Sequence, residues 1–342
     1  MPITKPLVTN YKEWMMDTLK SPEVILSVKN MVKDFPIGQS NNKKKLMRAV
    51  NDVSFDLRKG EALAIVGESG SGKSTGARIL SRIYGKTEGQ IIFKGQPLEE
   101  YVKEHGSLDY ARQVQMIFQD PFGSLNPVHS IFHHIARPLL IHKRGDKDTI
   151  KKLVYELLEL VGLFPAIETA EKYPYELSGG QRQRVAIARA LAVDPEVILA
   201  DEPISMLDVS VRLGILNLMS DLKDKHGISF MYITHDIATA RYFAEKTAVM
   251  YVGHMVEWGD SDIVTQSPRH PYTQLLLSAV PEAGKHGRRE LGAKKGEIPL
   301  WKPDSKGCPF VMRCPRVLDK CSASFPAITQ IAPDHFIRCH NI

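Results

Sequence analysis

Gly67-Glu68-Ser69-Gly70-Ser71-Gly72-Lys73-Ser74-Thr75 decides how the rest of the chain is read. It fits G-x-x-x-x-G-K-[ST] and follows the apolar run Ala62-Leu63-Ala64-Ile65-Val66. Behind it, Ala77-Arg78-Ile79-Leu80 reads as the start of a helix. Strand, glycine-rich loop and helix in that order are the context a phosphate-binding loop requires. A triphosphate carries several negative charges and must be held without a matching crowd of cationic side chains. Gly67, Gly70 and Gly72 let the backbone curl so that amide N–H groups, including those of Glu68, Ser69 and Ser71, point inward. The helix N-terminus adds partial positive charge. Lys73 suits the outer phosphates, and the Ser74 hydroxyl, followed by Thr75, suits Mg²⁺. The competing reading, a glycine-rich turn with no ligand, does not account for all the fixed positions falling directly after an apolar strand.

With 342 residues, one large or two medium domains are expected, and 43% apolar composition is ample for their cores. No run approaches the ~18 apolar residues of a membrane span. Residues 1–20 lack a basic-then-apolar secretory pattern, so a cytosolic setting is expected. The net charge of +6 suits nucleic acid, an anionic membrane surface or, most commonly, a solvated basic surface. All four cysteines fall between 308 and 339. Clustered thiols in a cytosolic protein point to metal or redox use rather than disulfides.

In chain order, residues 1–22 read as a polar extension with one amphipathic helical piece. Val24–Val28 and Ala49–Leu57 alternate like strands, and the basic stretch Gly38–Lys45 between them reads as an exposed hairpin loop. Phe35, just before it, is a candidate to stack on a purine ring or simply a strand-end aromatic. Val114–Phe118 is a strand ending at Gln119, a side chain able to touch Mg²⁺ and an attacking water. The following Asp120–Pro127 has enough Pro and Gly to stop any helix or strand. Residues from about 128 to 192 read as helical, with Gly162 closing one helix. Leu177-Ser178-Gly179-Gly180-Gln181 feeds a helix and offers a second anion site, or an ordinary Ser-capped helix start. Val197–Asp201 is an apolar strand ending in two carboxylates: Asp201 suits Mg²⁺, and Glu202 is placed to orient or deprotonate a water. A second strand, Ser229–Thr234, ends at His235, which can donate to a terminal phosphate. Asp208 closes the loop between them.

Together these elements resemble the nucleotide-binding subunits of ABC transporters, over about residues 24–255. Gly67–Thr75 takes the place of Walker A, Gln119 of the Q-loop, Leu177–Gln181 of the signature, and Val197–Asp201 with Glu202 of Walker B. Ser205–Asp208 takes that of the D-loop, with Met206 where alanine is usual, and His235 that of the switch histidine. Downstream, Pro268–Pro281, Gly307–Phe310 and Arg313–Pro315 resemble the tail of oligopeptide and dipeptide importer ATPases, of the second-ATPase type. The resemblance implies an α/β P-loop NTPase with a RecA-like core, an antiparallel β subdomain and a helical subdomain at about 124–192. It divides the chain into an extension at 1–22, an ABC ATPase domain at 23–260 and a C-terminal domain at 261–342. It further implies ATP and Mg²⁺ as ligands and a head-to-tail pair with a second, homologous ATPase. In that pair Ser178–Gln181 and Asp208 face the partner's nucleotide. Two transmembrane permease subunits, an extracytoplasmic solute-binding protein and a place on the cytoplasmic face of the membrane complete the expectation.

Cys308-x5-Cys314-x6-Cys321 with Cys339 supplies four thiolates, which suit tetrahedral zinc, an iron–sulfur cluster or no metal at all. The gaps are longer than zinc's usual C-x2–4-C, and the resemblance supports a 4Fe-4S cluster. The solute stays open: peptides first, oligosaccharides next. A soluble ABC ATPase acting on nucleic acid or ribosomes is the alternative of another class. Such proteins usually carry two cassettes or a long coil; this chain has one cassette and residues 119–177 leave no room for a coil, so no specific nucleic-acid partner is expected.

Overall fold

The computed structural model describes residues 22–40, 43–279 and 298–342. The helical piece expected before residue 22 therefore lies outside the described residues. Among the described residues twelve strands run β1 Val24–Ser40, β2 Lys43–Arg58, β3 Ala62–Val66, β4 Glu88–Phe93, β5 Gln96–Pro97, β6 Val114–Ile117, β7 Val197–Asp201, β8 Ser229–Thr234, β9 Lys246–Tyr251, β10 His254–Asp260, β11 Thr329–Ala332 and β12 His335–Ile337. They form two sheets, one ordered β2-β1-β4-β5 and one ordered β11-β12-β10-β9-β3-β8-β7-β6. The first is antiparallel throughout. In the second, β6, β7, β8, β3 and β9 are parallel, and β10, β12 and β11 continue as an antiparallel edge.

The apolar runs explain the centre. Every residue of β3, β7 and β8 is buried, as expected of parallel strands covered on both faces. One core packs the helical region against this sheet through Ile198, Phe230 and Tyr232 on one side. The other packs the antiparallel sheet against it through Ile65, Leu199 and Ile233. Ligands of open α/β sheets lie at the carboxyl ends of the strands. Here β3 runs into the glycine-rich loop, β7 into Glu202 and β8 into His235.

Three local expectations meet the structure differently. The basic hairpin between β1 and β2 is not an open loop, because the ladder continues to the pair Ser40–Lys43. The stretch after Gln119 holds one helical turn, Pro121–Ser124. Asp120 caps it by accepting the Phe122 N–H at 2.8 Å. Proline sits at the first helical position, where its missing donor costs nothing. The helical span resolves into Ile131–Ile141, Lys147–Leu160, Ala166–Glu171 and Gly179–Leu191, and Gly162 follows the second with a φ of 73°.

The C-terminal strand His335–Ile337 is bound into the main sheet, since β12 pairs with β10. Glu257 of β10, fully buried, accepts from the Arg269 N–H at 2.7 Å, the His270 N–H at 2.9 Å and His335 Nε2 at 2.7 Å. Its charge is therefore matched by donors from two C-terminal segments. Burial pushes the imidazole of His254 down to about 4 and that of His270 down to about 3. Below about pH 6.5 the unfolded chain takes up protons at these residues while the folded chain does not, so stability falls as pH falls. Each contributes a loss of about 1.4 kcal/mol per pH unit on the way down to its folded value. Melting temperatures measured from pH 7 to pH 4.5 should drop, and His254→Gln should flatten part of that slope; an unchanged slope would show that His254 does not titrate this way.

Candidate functional site

A cavity of about 440 Å³ opens at the carboxyl end of β3. Ser69 to Thr75 form its floor, Phe35, Met47 and Arg48 one side, Gln119 and Glu202 another, and Ile298 to Trp301 a further wall. The loop's glycines are positioned as the sequence requires. Gly70 and Gly72 have φ of 80° and 99°, and a Cβ on Gly72 would lie 2.3 Å from the Ala49 carbonyl. The Ser71 hydroxyl is buried without a hydrogen-bond partner. An orphaned hydroxyl inside a cradle of this shape fits an anionic ligand that supplies the missing acceptor.

Lys73 is buried and donates to the carbonyls of Gly67 at 2.7 Å and Glu68 at 3.0 Å. Burial lowers its pKa, against the nearby carboxylates of Glu202 and Asp201, which raise it. Ser74 Oγ donates to Asp201 Oδ1 at 2.8 Å, which puts together the two side chains expected to serve Mg²⁺. Burial raises the Asp201 carboxyl above its usual range, with the Ser74 hydroxyl opposing. A divalent cation there would favour the ionised form, so this donor pair fits one.

Glu202 has a φ of 47°, an uncommon conformation for a non-glycine residue. Its N–H is held by the Ile233 carbonyl at 2.9 Å. Its Oε2 accepts from Gln119 Nε2 at 3.2 Å and from His235 Nδ1 at 3.2 Å. Three residues from the ends of three strands thus meet on one oxygen. Glu202 is mostly buried and His235 exposed, at 13% and 59% of their side-chain areas. Such a carboxylate can orient a water while two donors hold it.

Other expected residues lie apart. Ser178 caps its helix by accepting the Gln181 N–H at 3.3 Å, and Gln181 Oε1 accepts the Ser178 N–H at 3.0 Å. Neither these two nor Gly179, Gly180 or Asp208 lines the cavity; Ser178, Gln181 and Asp208 are exposed. Phe35 does line it, and its ring also meets Tyr84 edge-on at 5.4 Å. The sequence reading assigned no role to Arg48, held by Asp34 at 2.8 and 2.9 Å, or to Ile298–Trp301. Nor did it see the carboxylate of Glu68 paired with Arg313 at 2.7 and 2.9 Å. Arg313 and Tyr272 lie in the stretches that resemble the importer tail, but only long-range contacts reveal their partners.

The four cysteines are free thiols. Backbone N–H groups of Arg316, Leu318 and Asn341 donate to Cys314, Cys321 and Cys339 Sγ at 3.4, 3.5 and 3.4 Å. Burial pushes Cys308 up to about 12, and the other three thiols add to that shift. Among the described residues no three His, Cys, Asp or Glu side chains stand close enough together to hold a metal ion.

Fold and cavity define an α/β nucleotide-binding ATPase, and comparison with known proteins narrows the class. Residues 50–205 match the ABC transporter family, and residues 256–321 match the oligopeptide/dipeptide transporter C-terminal region. The oligopeptide transport ATP-binding protein AppF of Bacillus subtilis (strain 168) is 43% identical over 94% of this chain and 99% of that protein. The dipeptide transport ATP-binding protein DppF of Escherichia coli (strain K12) is 40% identical over 91% and 92%. Among solved structures, the cassette MJ0796, a dimer in a post-hydrolysis state bound to ADP and Pi, superposes with a TM-score of 0.61 at 30% identity, over 69% of this chain and 98% of that one. The chain belongs to the ATP-binding subunits of the oligopeptide/dipeptide ABC transporter family, and it is an ATPase.

Proposed function

We propose that this chain hydrolyses ATP to drive peptide import through membrane-embedded permease subunits. The meeting of Gln119 and His235 on Glu202, beside a cradle with an unmatched buried hydroxyl, carries this reading. Ser69 to Thr75 would hold the phosphates, with Lys73 against the outer ones and Phe35 beside the base; Gly67 and Glu68, also expected there, do not line the cavity, and the Glu68 N–H is committed to the Tyr272 hydroxyl. Ser74, Asp201 and Gln119 would hold Mg²⁺, which neutralises charge on the phosphates. Glu202 acts on the water, and His235 donates towards the terminal phosphate.

Ser178, Gly179, Gly180, Gln181 and Asp208 serve a neighbour's nucleotide instead. Their exposure and their absence from this chain's own cavity support that. A second, homologous ATPase completes both sites in a heterodimer, and the dimeric state of MJ0796 is consistent with such pairing. Two permease subunits and an extracytoplasmic solute-binding protein would make up the rest. No helix among the described residues is long and apolar enough to cross a membrane, so attachment to the cytoplasmic face would be peripheral and through the permeases. Residues 23–260 would form the ATPase domain, with the helical subdomain at about 124–192, and 261–342 the C-terminal domain. The names of the relatives favour peptides over oligosaccharides as the solute.

Cys308, Cys314, Cys321 and Cys339 are proposed to hold a 4Fe-4S cluster, with zinc second. Backbone N–H donors on three of the four thiols, those of Cys314, Cys321 and Cys339, suit a thiolate ligand set, because such donors stabilise the negative sulfur. Drawing the four sulfurs into ligand distance would require the thiols to move and ionise. One anaerobic purification from native membranes tests both readings. Co-purified permeases, ATP-dependent uptake of labelled peptide and about four irons per chain are expected. A colourless protein with one zinc would replace the cluster, and failure of labelled peptides to enter reconstituted vesicles would remove the peptide assignment.

A further inference from the structure

Glu68, the second residue of the phosphate loop, is gripped from outside the ATPase core on both its backbone and its side chain. Its N–H donates to the Tyr272 hydroxyl at 2.8 Å. Its two carboxylate oxygens accept from Nη1 and Nη2 of Arg313 at 2.7 and 2.9 Å. Arg313 lies between Cys308 and Cys314, 245 residues along the chain from Glu68. Its guanidinium also sits over the rings of Tyr251 and Phe310, 5.7 and 5.8 Å from their centroids. The pair is mostly buried, with 12% of the Arg313 side chain and 30% of the Glu68 side chain exposed. A forked, partly buried pair of this kind is stronger and more directional than a surface salt bridge. A guanidinium keeps its charge throughout the physiological pH range. The same C-terminal region reaches the cavity again at Ile298–Trp301, where the Trp301 carbonyl accepts the Arg48 N–H at 2.8 Å.

A carboxylate carried by the phosphate loop itself opposes a triphosphate held by that loop. Here its charge is cancelled and its direction fixed by a residue of the cysteine module. The Tyr272 hydroxyl meanwhile takes the Glu68 N–H away from the cradle, and Lys73 holds the Glu68 carbonyl at 3.0 Å. The Glu68 peptide is thus anchored on both sides.

We propose that Arg313, assisted by Tyr272, is a positioning residue for the phosphate loop: it neutralises and anchors Glu68, so that the C-terminal cysteine module sets the affinity of the ATP site. This rests on the reading of the cavity as the ATP site. It does not depend on what the cysteines bind.

The test is a double-mutant cycle on the full chain, reading the affinity for a fluorescent ATP analogue and, in the assembled transporter, KM against kcat. Arg313→Ala leaves the Glu68 carboxylate unpaired, and analogue affinity falls about 10-fold, with kcat changing far less. Arg313→Ala combined with Glu68→Gln removes the stranded charge and recovers most of that loss, to within about threefold of the parent. A purely structural Arg313 would give no such recovery, because Glu68→Gln does nothing to repack the module. Arg313→Lys keeps a point charge but not the fork and falls between. If Arg313→Ala does not fold, Arg313→Lys and Glu68→Gln carry the test: weaker binding in the first and equal or tighter binding in the second support the proposal. Parent-like affinity in Arg313→Ala, or a loss that Glu68→Gln leaves untouched, overturns it. Lys73→Ala separates this from the underlying reading, since a parent chain that binds the analogue no better than Lys73→Ala would sink the cavity assignment itself.

Discussion

Glu202→Gln keeps nucleotide binding and slows hydrolysis by about 10²–10⁴-fold, the usual worth of a positioned general base. The substitution is nearly isosteric. Its amide oxygen can still accept from Gln119 Nε2 and His235 Nδ1, now 3.2 Å from the carboxylate. The backbone at φ 47° is fixed by the Ile233 carbonyl rather than by the side chain. What disappears is the negative charge that draws a proton from water. Binding should be untouched because, in the proposed site, the phosphates and their Mg²⁺ would be served by other groups: the loop, Lys73 and the hydrogen-bonded Ser74–Asp201 pair. Release of labelled phosphate in single-turnover conditions, beside an equilibrium affinity for ATP, separates the two quantities. Lys73→Ala should do the opposite and lose affinity first. Turnover within threefold of the parent in Glu202→Gln would take Glu202 out of the chemistry.

The reason this site could be read so far from the sequence is topological. Each central strand is an apolar run whose carboxyl end carries the polar residue, so Val66 leads to the loop, Asp201 to Glu202 and Thr234 to His235. Parallel registry then brings those ends together, Val66 opposite Thr234 and Asp201 opposite Ile233. Local pattern and fold agree there. The signature turn was equally visible, because a Ser-x-x-Gln capping box is a local device. What escaped depends on contacts that no local pattern encodes. The wall Ile298–Trp301 and the Arg313–Glu68 pair cross more than two hundred residues of chain. Asp34 and Arg48 meet because the β1–β2 register sets them directly opposite each other, a pairing between two strands that neither local pattern encodes. The turn at Pro121–Ser124 is hidden for another reason: proline looks like a breaker in sequence, although at a first helical position it is accommodated.

Ser178→Asp should leave this chain's own ATP affinity unchanged and cut turnover of the paired ATPases by about 10²–10³-fold, the cost of losing one preorganised donor to developing charge. Aspartate is as good an N-cap as serine, so the helix Gly179–Leu191 keeps its start and its Gln181 N–H keeps an acceptor. Glycine packing is not disturbed either; the tight contact there is at Gly180, where a Cβ would meet Val211 Cγ1 at 2.5 Å. The only new element is a carboxylate at an exposed anion site. That carboxylate is harmless unless a triphosphate approaches from another molecule, because none of Ser178–Gln181 lines this chain's cavity. In the Glu202→Gln background ATP should hold the two ATPases together, and adding Ser178→Asp should release them as separate subunits in size-exclusion chromatography with ATP. Undiminished pairing and turnover would mean that the Ser178 turn meets no phosphate, and that each nucleotide is enclosed by one chain alone.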